Sequence, residues 1–272
     1  MNKTYKLIGL DMDGTLLTSN KNILSDTQNI LKKAAISGKY ISLSTGRGLA
    51  ELSDYRRELS FVQYGILVSG AVIYDLKKEK IIHRNYLDKN VVKQILNVGK
   101  EEGAMIYFLA DGKSIVQKDQ AAHMADFHMG VYQEMYNRIA IPYDSLEDAY
   151  LKAHNFEKVN LYCRSKESRQ RCFDRLKSLP LQLTYSEETS LETVAKGISK
   201  ASGLKHLCEY LHIDLTETIV VGDAPNDLEA LKAAGFAVAM GNAKAEVKAV
   251  CDAVVSDNDH NGVGEAIMKY LL

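Results

Sequence analysis

The chain carries almost no net charge. Its 34 lysines and arginines against 35 aspartates and glutamates leave a formal charge of -1. Composition therefore supplies no overall pull toward nucleic acid or an anionic membrane, and any basic site has to be local. Cysteine is scarce too. Cys163, Cys172, Cys208 and Cys251 are widely spaced, with no C-x-x-C pair and no histidine at zinc-ligand spacing beside them. They read as reduced, partly buried thiols. No apolar run approaches the length that crosses a bilayer, and Asp11 and Asp13 interrupt the apolar start where a signal peptide has a continuous core. A cytoplasmic protein is expected. Linkers rich in proline or glycine, internal repeats and low-complexity segments are all missing.

What is present is ordinary in bulk: 272 residues, 46% hydrophobic and 25% charged, enough for one large domain or two of common size. The informative features are local. Residues 5–10 of "YKLIGLDMDGTLL" are apolar and bounded by turn formers, which suits a buried parallel strand ending at Asp11. Residues 25–37 read as a helix, with Ser25 and Gln28 at capping-box spacing and Gly38 as the stop. The strand "YISLS" at 40–44 then runs into "TGRG". Strand, helix and strand within about forty residues favour a right-handed parallel crossover. The C-terminal third repeats the order: strand "ETIVVGD" ending at Asp223, helix "NDLEALKAAG", strand "FAVAM", helical "AKAEVKAVC", strand-like "DAVVS" and helical "GVGEAIMKYLL". The fold class expected is α/β, a doubly wound parallel sheet assembled from both ends of the chain, residues 1–81 and 187–272.

Residues 82–186 have another texture. Longer polar helices alternate with strand-like "AMIYFLA", "KVNLYCRS" and "LQLTYS", and the segment holds most of the 15 tyrosines. It reads as an inserted α+β domain.

In an open α/β sheet, ligands bind beyond the carboxyl ends of the strands, where Asp11, Asp13 and Asp223 all fall. Three converging carboxylates repel one another and take up protons unless a cation joins them, and hard oxygen donors select Mg²⁺. Mg²⁺ in turn suits phosphate. Gly14 allows an unusual turn, and the main-chain N–H groups of Met12 and Asp13 can point at an anion. Thr45 and Gly46 end the second strand with a hydroxyl and an open N–H. Lys200 in "AKGISKASG" offers a positive charge at a helix start, with Lys196 as the other candidate, and Asn226 with Asp227 opens the helix after Asp223.

"DMDGT", "STGR", the late lysine and "GDAPND" together resemble the motifs of the haloacid dehalogenase superfamily, specifically its Cof-type phosphatases with a type 2 cap. The tail "AGFAVAMGNAKAEVKAVCDAVVSDNDHNGVGEAI" resembles that family throughout. The resemblance implies that Asp11 is the nucleophile and Asp13 the general acid and base. Asp11, Asp13 and Asp223 would hold Mg²⁺, with Asp227 supporting the metal's water shell. Met12, Thr45, Gly46, Lys200 and Asn226 would hold the phosphoryl group. A second aspartate in the first motif is similar to phosphatases and mutases rather than to ion-pumping ATPases. The sequence departs from the family pattern at Ser69, Pro225 and Ala201.

The function expected is a Mg²⁺-dependent phosphatase working through an aspartyl phosphate. Its partner would be a small phosphorylated metabolite, a sugar phosphate first and a phosphorylated cofactor second, with no nucleic acid or membrane partner and a monomer or homodimer as the state. A phosphomutase and a non-catalytic phosphate-binding protein are the alternatives. Arg47, beside Thr45, either touches substrate or pairs with a carboxylate. His123 and His128 are five residues apart, on different helix faces, which argues against a shared metal; they and Tyr132 are expected at the surface, with substrate contact the alternative.

Overall fold

Leu7, Ile8 and Leu10 are fully buried, and a strand apolar on both sides needs cover on both sides, the condition of a parallel sheet. The computed structural model, which describes residues 4–272, places them in β1 (Leu7–Leu10), followed by β2 (Tyr40–Ser44), β3 (Tyr64–Leu67), β4 (Val72–Asp75) and β5 (Lys80–Arg84). The chain continues through β6 (Met105–Ala110), β7 (Lys113–Gln117), β8 (Ala140–Tyr143), β9 (Phe156–Tyr162), β10 (Leu181–Tyr185) and β11 (Ser190–Ala195), then β12 (Thr218–Gly222), β13 (Phe236–Ala239) and β14 (Ala253–Val254). It divides into two compact units. One comprises the residues up to Gly46, Asp54–Arg84 and Ser199–Leu272; the other comprises Arg47–Ser53 and Asn85–Ile198.

The first unit carries an eight-stranded sheet in the order β14-β13-β12-β1-β2-β3-β4-β5. β1 pairs in parallel with β2 on one side and β12 on the other. Succession therefore runs outward in opposite directions from β1 and β12, which makes their junction the topological switch point. The expected parallel sheet is present from β14 to β3, and an antiparallel meander, β3-β4-β5, extends one edge. The first helix spans Ser25–Ile36, but its cap differs from expectation. Leu24 is the N-cap and no side chain caps it, while Gln28 donates from Nε2 to the carbonyl of Ile23 at 2.9 Å. Serine has entered the helix, so its hydroxyl is no longer placed to receive the N–H three residues on.

The second unit carries a six-stranded sheet, β10-β11-β9-β6-β7-β8, antiparallel except between β7 and β8. One face is covered by the helices Lys89–Glu101 and Lys166–Leu176. Val92, Ile95, Leu96, Phe108, Phe156, Leu161 and Leu191 form that core together with Cys163 and Cys172. All four cysteines are free thiols. The inserted unit extends past the expected end at residue 186, because β11 lies between β9 and β10 and pairs with both. A cut at 186 leaves the sheet without that strand. Arg47–Ser53 also joins this unit, which no spacing in the sequence signals. Among the described residues no helix is long and apolar enough to cross a membrane.

Candidate active site

The register of the first sheet sets the site. Leu10 lies level with Leu43 on β2 and Val221 on β12, so Asp11 emerges beside Gly222, and Asp223 follows one residue later. After Asp11 the chain turns back tightly: the N–H groups of Thr15 and Leu17 donate to the carbonyl of Met12 and that of Leu16 to Asp11. Gly14 makes the turn possible. Its φ is +78°, and a Cβ there would lie 2.5 Å from Oδ2 of Asp223, so both the backbone angle and the close carboxylate demand glycine. Thr15 then donates its hydroxyl to Oδ1 of Asp223 at 2.7 Å.

Lys200 is the first residue of the helix Lys200–Leu211, whose N-terminus is closed by a reciprocal capping box between Ser199 and Ser202. Its side chain is buried, and Nζ donates to Oδ1 of Asp11 and to Oδ1 of Asp227, each at 2.7 Å. Asp227 is fixed from its other oxygen, which accepts the N–H groups of Asp223 at 3.1 Å and Ala224 at 3.2 Å. Carboxylate oxygens of Asp11, Asp223 and Asp227 all lie within 4.8 Å of one another.

That crowding governs the charges. Burial first, then Asp227 and Asp223, push the Asp11 carboxyl well above its usual range, against the pull of Lys200. Burial chiefly raises Asp223 to about 6, opposed by the hydroxyl of Thr15. Burial disfavours the Lys200 ammonium, but Asp11 and Asp227 outweigh it and hold the group charged. Three ionised carboxylates against one ammonium leave two negative charges, which a divalent cation balances, and an all-oxygen donor set suits a hard ion. Asn226 adds a buried Oδ1 that has no hydrogen-bond partner among the described residues. The residues present fit a metal and a phosphoryl group.

The side chain of Asp13, expected among the metal ligands, is in an ion pair with Lys21 at 2.7 Å. Asp227, expected to support the metal's water shell, lies with Asp11 and Asp223 in the carboxylate cluster. Asp13 lies three residues beyond the end of β1, and a backbone bridge to Leu17 engages it. Of the two candidate lysines, Lys200 lies between Asp11 and Asp227, while Lys196 belongs to the second unit. Met12 and Thr45 are buried at the ends of β1 and β2. The Thr45 carbonyl accepts the N–H of Ser69, itself at φ +57°. Gly46 is the last residue before the chain enters the second unit, where Arg47 is buried and touches the sulfur of Met135 at 3.7 Å. His123 and His128 are exposed and bond separately to the carbonyls of Asp119 and Arg164, and Tyr132 contacts Glu187. Thr15, Lys21 and Asn242, whose Nδ2 donates to the Gly14 carbonyl at 2.8 Å, serve the site without having been expected. Thr15 alone carried a signal, as the residue following Gly14 in the first motif.

Residues 8–267 match the family model described as haloacid dehalogenase-like hydrolase. The chain belongs to that family. It is an enzyme, a phosphatase of the haloacid dehalogenase superfamily. Phosphatase YwpJ of Bacillus subtilis is similar to it, 31% identical over 98% of this chain and 100% of the relative. The 5-amino-6-(5-phospho-D-ribitylamino)uracil phosphatase YcsE of the same organism is 27% identical over 98% of this chain and 96% of its own length. A solved subclass IIB sugar phosphatase of the superfamily is 25% identical, with a TM-score of 0.83 over 97% of this chain and 98% of that one.

Proposed function

We propose that this phosphatase is Mg²⁺-dependent and hydrolyses the phosphate monoester of a small polyhydroxylated metabolite through an aspartyl phosphate on Asp11. The observation that carries the reading is the contact of Asp11 with Lys200 beside Asp223 and Asp227 at the switch point of the sheet. In the first step a carboxylate oxygen of Asp11 attacks phosphorus in line, the bond to the ester oxygen breaks, and Asp13 gives its proton to the departing alkoxide. In the second, water attacks the phosphorus of the aspartyl phosphate, Asp13 takes the water's proton, and Asp11 is released with inorganic phosphate. Lys200, the N–H groups around Met12 and Gly46, the Thr45 hydroxyl and Asn226 hold the phosphoryl oxygens. Asp11, Asp223 and Asp227 would hold Mg²⁺, with the Asp13 segment beside them. When bound, that ion neutralises the crowded carboxylates and spreads the phosphoryl charge.

Sugar phosphates are the first substrate class and phosphorylated cofactor precursors the second. Both the sugar phosphatase and the phosphoribitylaminouracil phosphatase, by their names, act on molecules with a hydroxylated chain next to phosphate. The test is phosphate release across a panel of such esters with and without Mg²⁺. Steady release that needs the metal and no bisphosphate activator is expected. Full turnover by protein shown to be metal-free would remove the metal from the reading, and dependence on a bisphosphate would point to a mutase.

A further inference from the structure

The segment that follows β14 does not leave the sheet at its edge. β14 is separated from β1 by β13 and β12, a distance of about 14 Å at the usual strand spacing, yet the residues just past its end reach the turn that begins at Asp11. Asn258, 9% exposed, donates from Nδ2 to the carbonyl of Leu17 at 2.9 Å. Its own N–H donates to Oδ1 of Asn242 at 3.2 Å, and Nδ2 of Asn242 donates to the carbonyl of Gly14 at 2.8 Å. Farther along, Asp259 accepts the N–H and hydroxyl of Ser19 at 2.8 and 2.7 Å, and Asn261 accepts the hydroxyl of Thr27 at 2.7 Å. All of these residues belong to the first unit.

The two loops that carry the asparagines are braced on their own side. Oδ1 of Asp257 accepts the N–H groups of Asp259 at 3.0 Å and His260 at 2.9 Å. The N–H of Gly241 donates to the carbonyl of Ser256 at 3.1 Å, which ties one loop to the other, and that of Lys244 donates to the carbonyl of Asp223 at 3.1 Å, which sets both against the carboxylate cluster. Glycine is needed at 241, where a Cβ would lie 2.8 Å from the Asp257 nitrogen.

What this brace holds is the segment that contains Asp13. Asp13 precedes Gly14, and its backbone is bridged to Leu17, so Asn242 and Asn258 grip the turn at both ends of that bridge. Each supplies a donor to a main-chain carbonyl, and a buried carbonyl left without one is costly. Asp11 is served differently: β1 sets its backbone and Lys200 holds its carboxylate. Loosening the turn therefore shifts Asp13 and leaves Asp11 in place.

We infer that Asn258, linked through Asn242, is a positioning residue for Asp13, holding the turn so that the acid and base faces the phosphoryl group on Asp11. The inference rests on the proposed role of Asp13 and adds the residues that aim it.

The test is rapid-quench measurement of phosphoenzyme formation and decay on p-nitrophenyl phosphate, with full-length protein and Mg²⁺. Nitrophenolate departs with little help from an acid, whereas water attack on the aspartyl phosphate needs a base. Asn258→Ala should slow decay about tenfold or more while formation changes by less than about threefold. Asn242→Ala, at a position whose side chain is exposed, should split the two steps in the same direction and decides the matter if Asn258→Ala does not fold. Thr27→Val removes a bond to the same loop from outside the turn; it should lower the melting temperature and leave both rate constants within about twofold of wild type. Equal slowing of formation and decay, unchanged decay in a folded asparagine variant, or the same split from Thr27→Val overturns the inference. A wild type that forms no phosphoenzyme, or an Asp13→Asn phosphoenzyme that decays at the wild-type rate, instead overturns the reading beneath it.

Discussion

Asp11 and Asp13 stand one residue apart, yet the fold gives them opposite surroundings. Asp11 is 5% exposed and held by Lys200, whereas Asp13 is half-buried and paired with Lys21. Two carboxyl groups in unlike environments can divide nucleophile from acid and base. Asp11→Asn should form no phosphoenzyme and lose turnover on every ester. Asp13→Asn keeps the nucleophile, so rapid-quench experiments with p-nitrophenyl phosphate should show a burst of phenolate followed by turnover slowed about 10²- to 10⁴-fold. A burst from Asp11→Asn and none from Asp13→Asn would reverse the two roles. Asp223 supports a second expectation at this scale. In metal-free protein its carboxyl is raised from 3.8 to about 6, so the folded chain holds a proton there that the unfolded chain releases. The metal-free fold therefore loses stability as pH climbs through that window. The same proton competes with a cation, so Mg²⁺ affinity should fall as pH drops through about 6. Calorimetric titration from pH 5 to 8 measures this, and a flat profile would contradict the assignment. The motif aspartates were legible because strand ends fix where they point. The burial of Asn160 and Lys158 was not, since a strand position reads the same whether its face is an apolar core or a buried polar network.

At the scale of elements, legibility followed hydrophobic pattern and failed at edges. β1, β2, β12 and β13 are short runs buried on both faces, and their expected spans agree with the structure to within a few residues. The meander β3-β4-β5 was missed because β5 is largely exposed and has no apolar period to detect. Val68 and Ser69, at φ +55° and +57°, form its tight connection without glycine at either position. The turn from Asp11 to Leu17 was legible for a different reason: Gly14 has a backbone angle and a neighbour that exclude any side chain. Gly14→Ala should therefore cost about 1–2 kcal/mol from the left-handed backbone alone. It should cost much more in activity, because the methyl group displaces Asp223 from the cluster. Thermal melts with parallel kinetics provide the check. Full activity in a Gly14→Ala protein would show that the close contact with Asp223 is dispensable.

For the whole molecule, a change of texture in the sequence pointed to an insertion at 82–186, while the margins of the second unit rest on long-range pairing that no local pattern signals. β11 belongs to the second unit by its pairing with β9 and β10, and Arg47–Ser53 belongs to it although first-unit residues flank that strip on both sides in the sequence. The division predicts what excision does. All eight strands of the first sheet, together with Lys200, Asp223 and Asp227, lie outside 85–198. Replacing that segment with a short Gly/Ser linker between Arg84 and Ser199 should leave a protein that melts cooperatively and still hydrolyses p-nitrophenyl phosphate with Mg²⁺. Arg47–Ser53 loses every partner it has in the second unit, so its amides should exchange rapidly while those of β1 and β12 stay protected. Glu51, freed from burial, should titrate as an ordinary glutamate, since desolvation is the main influence that raises it in the intact chain. Selectivity should flatten, with hexose and alditol phosphates approaching the same kcat/KM as esters without hydroxyl groups. A truncated protein that keeps the full-length ranking of substrates would move specificity back into the first unit.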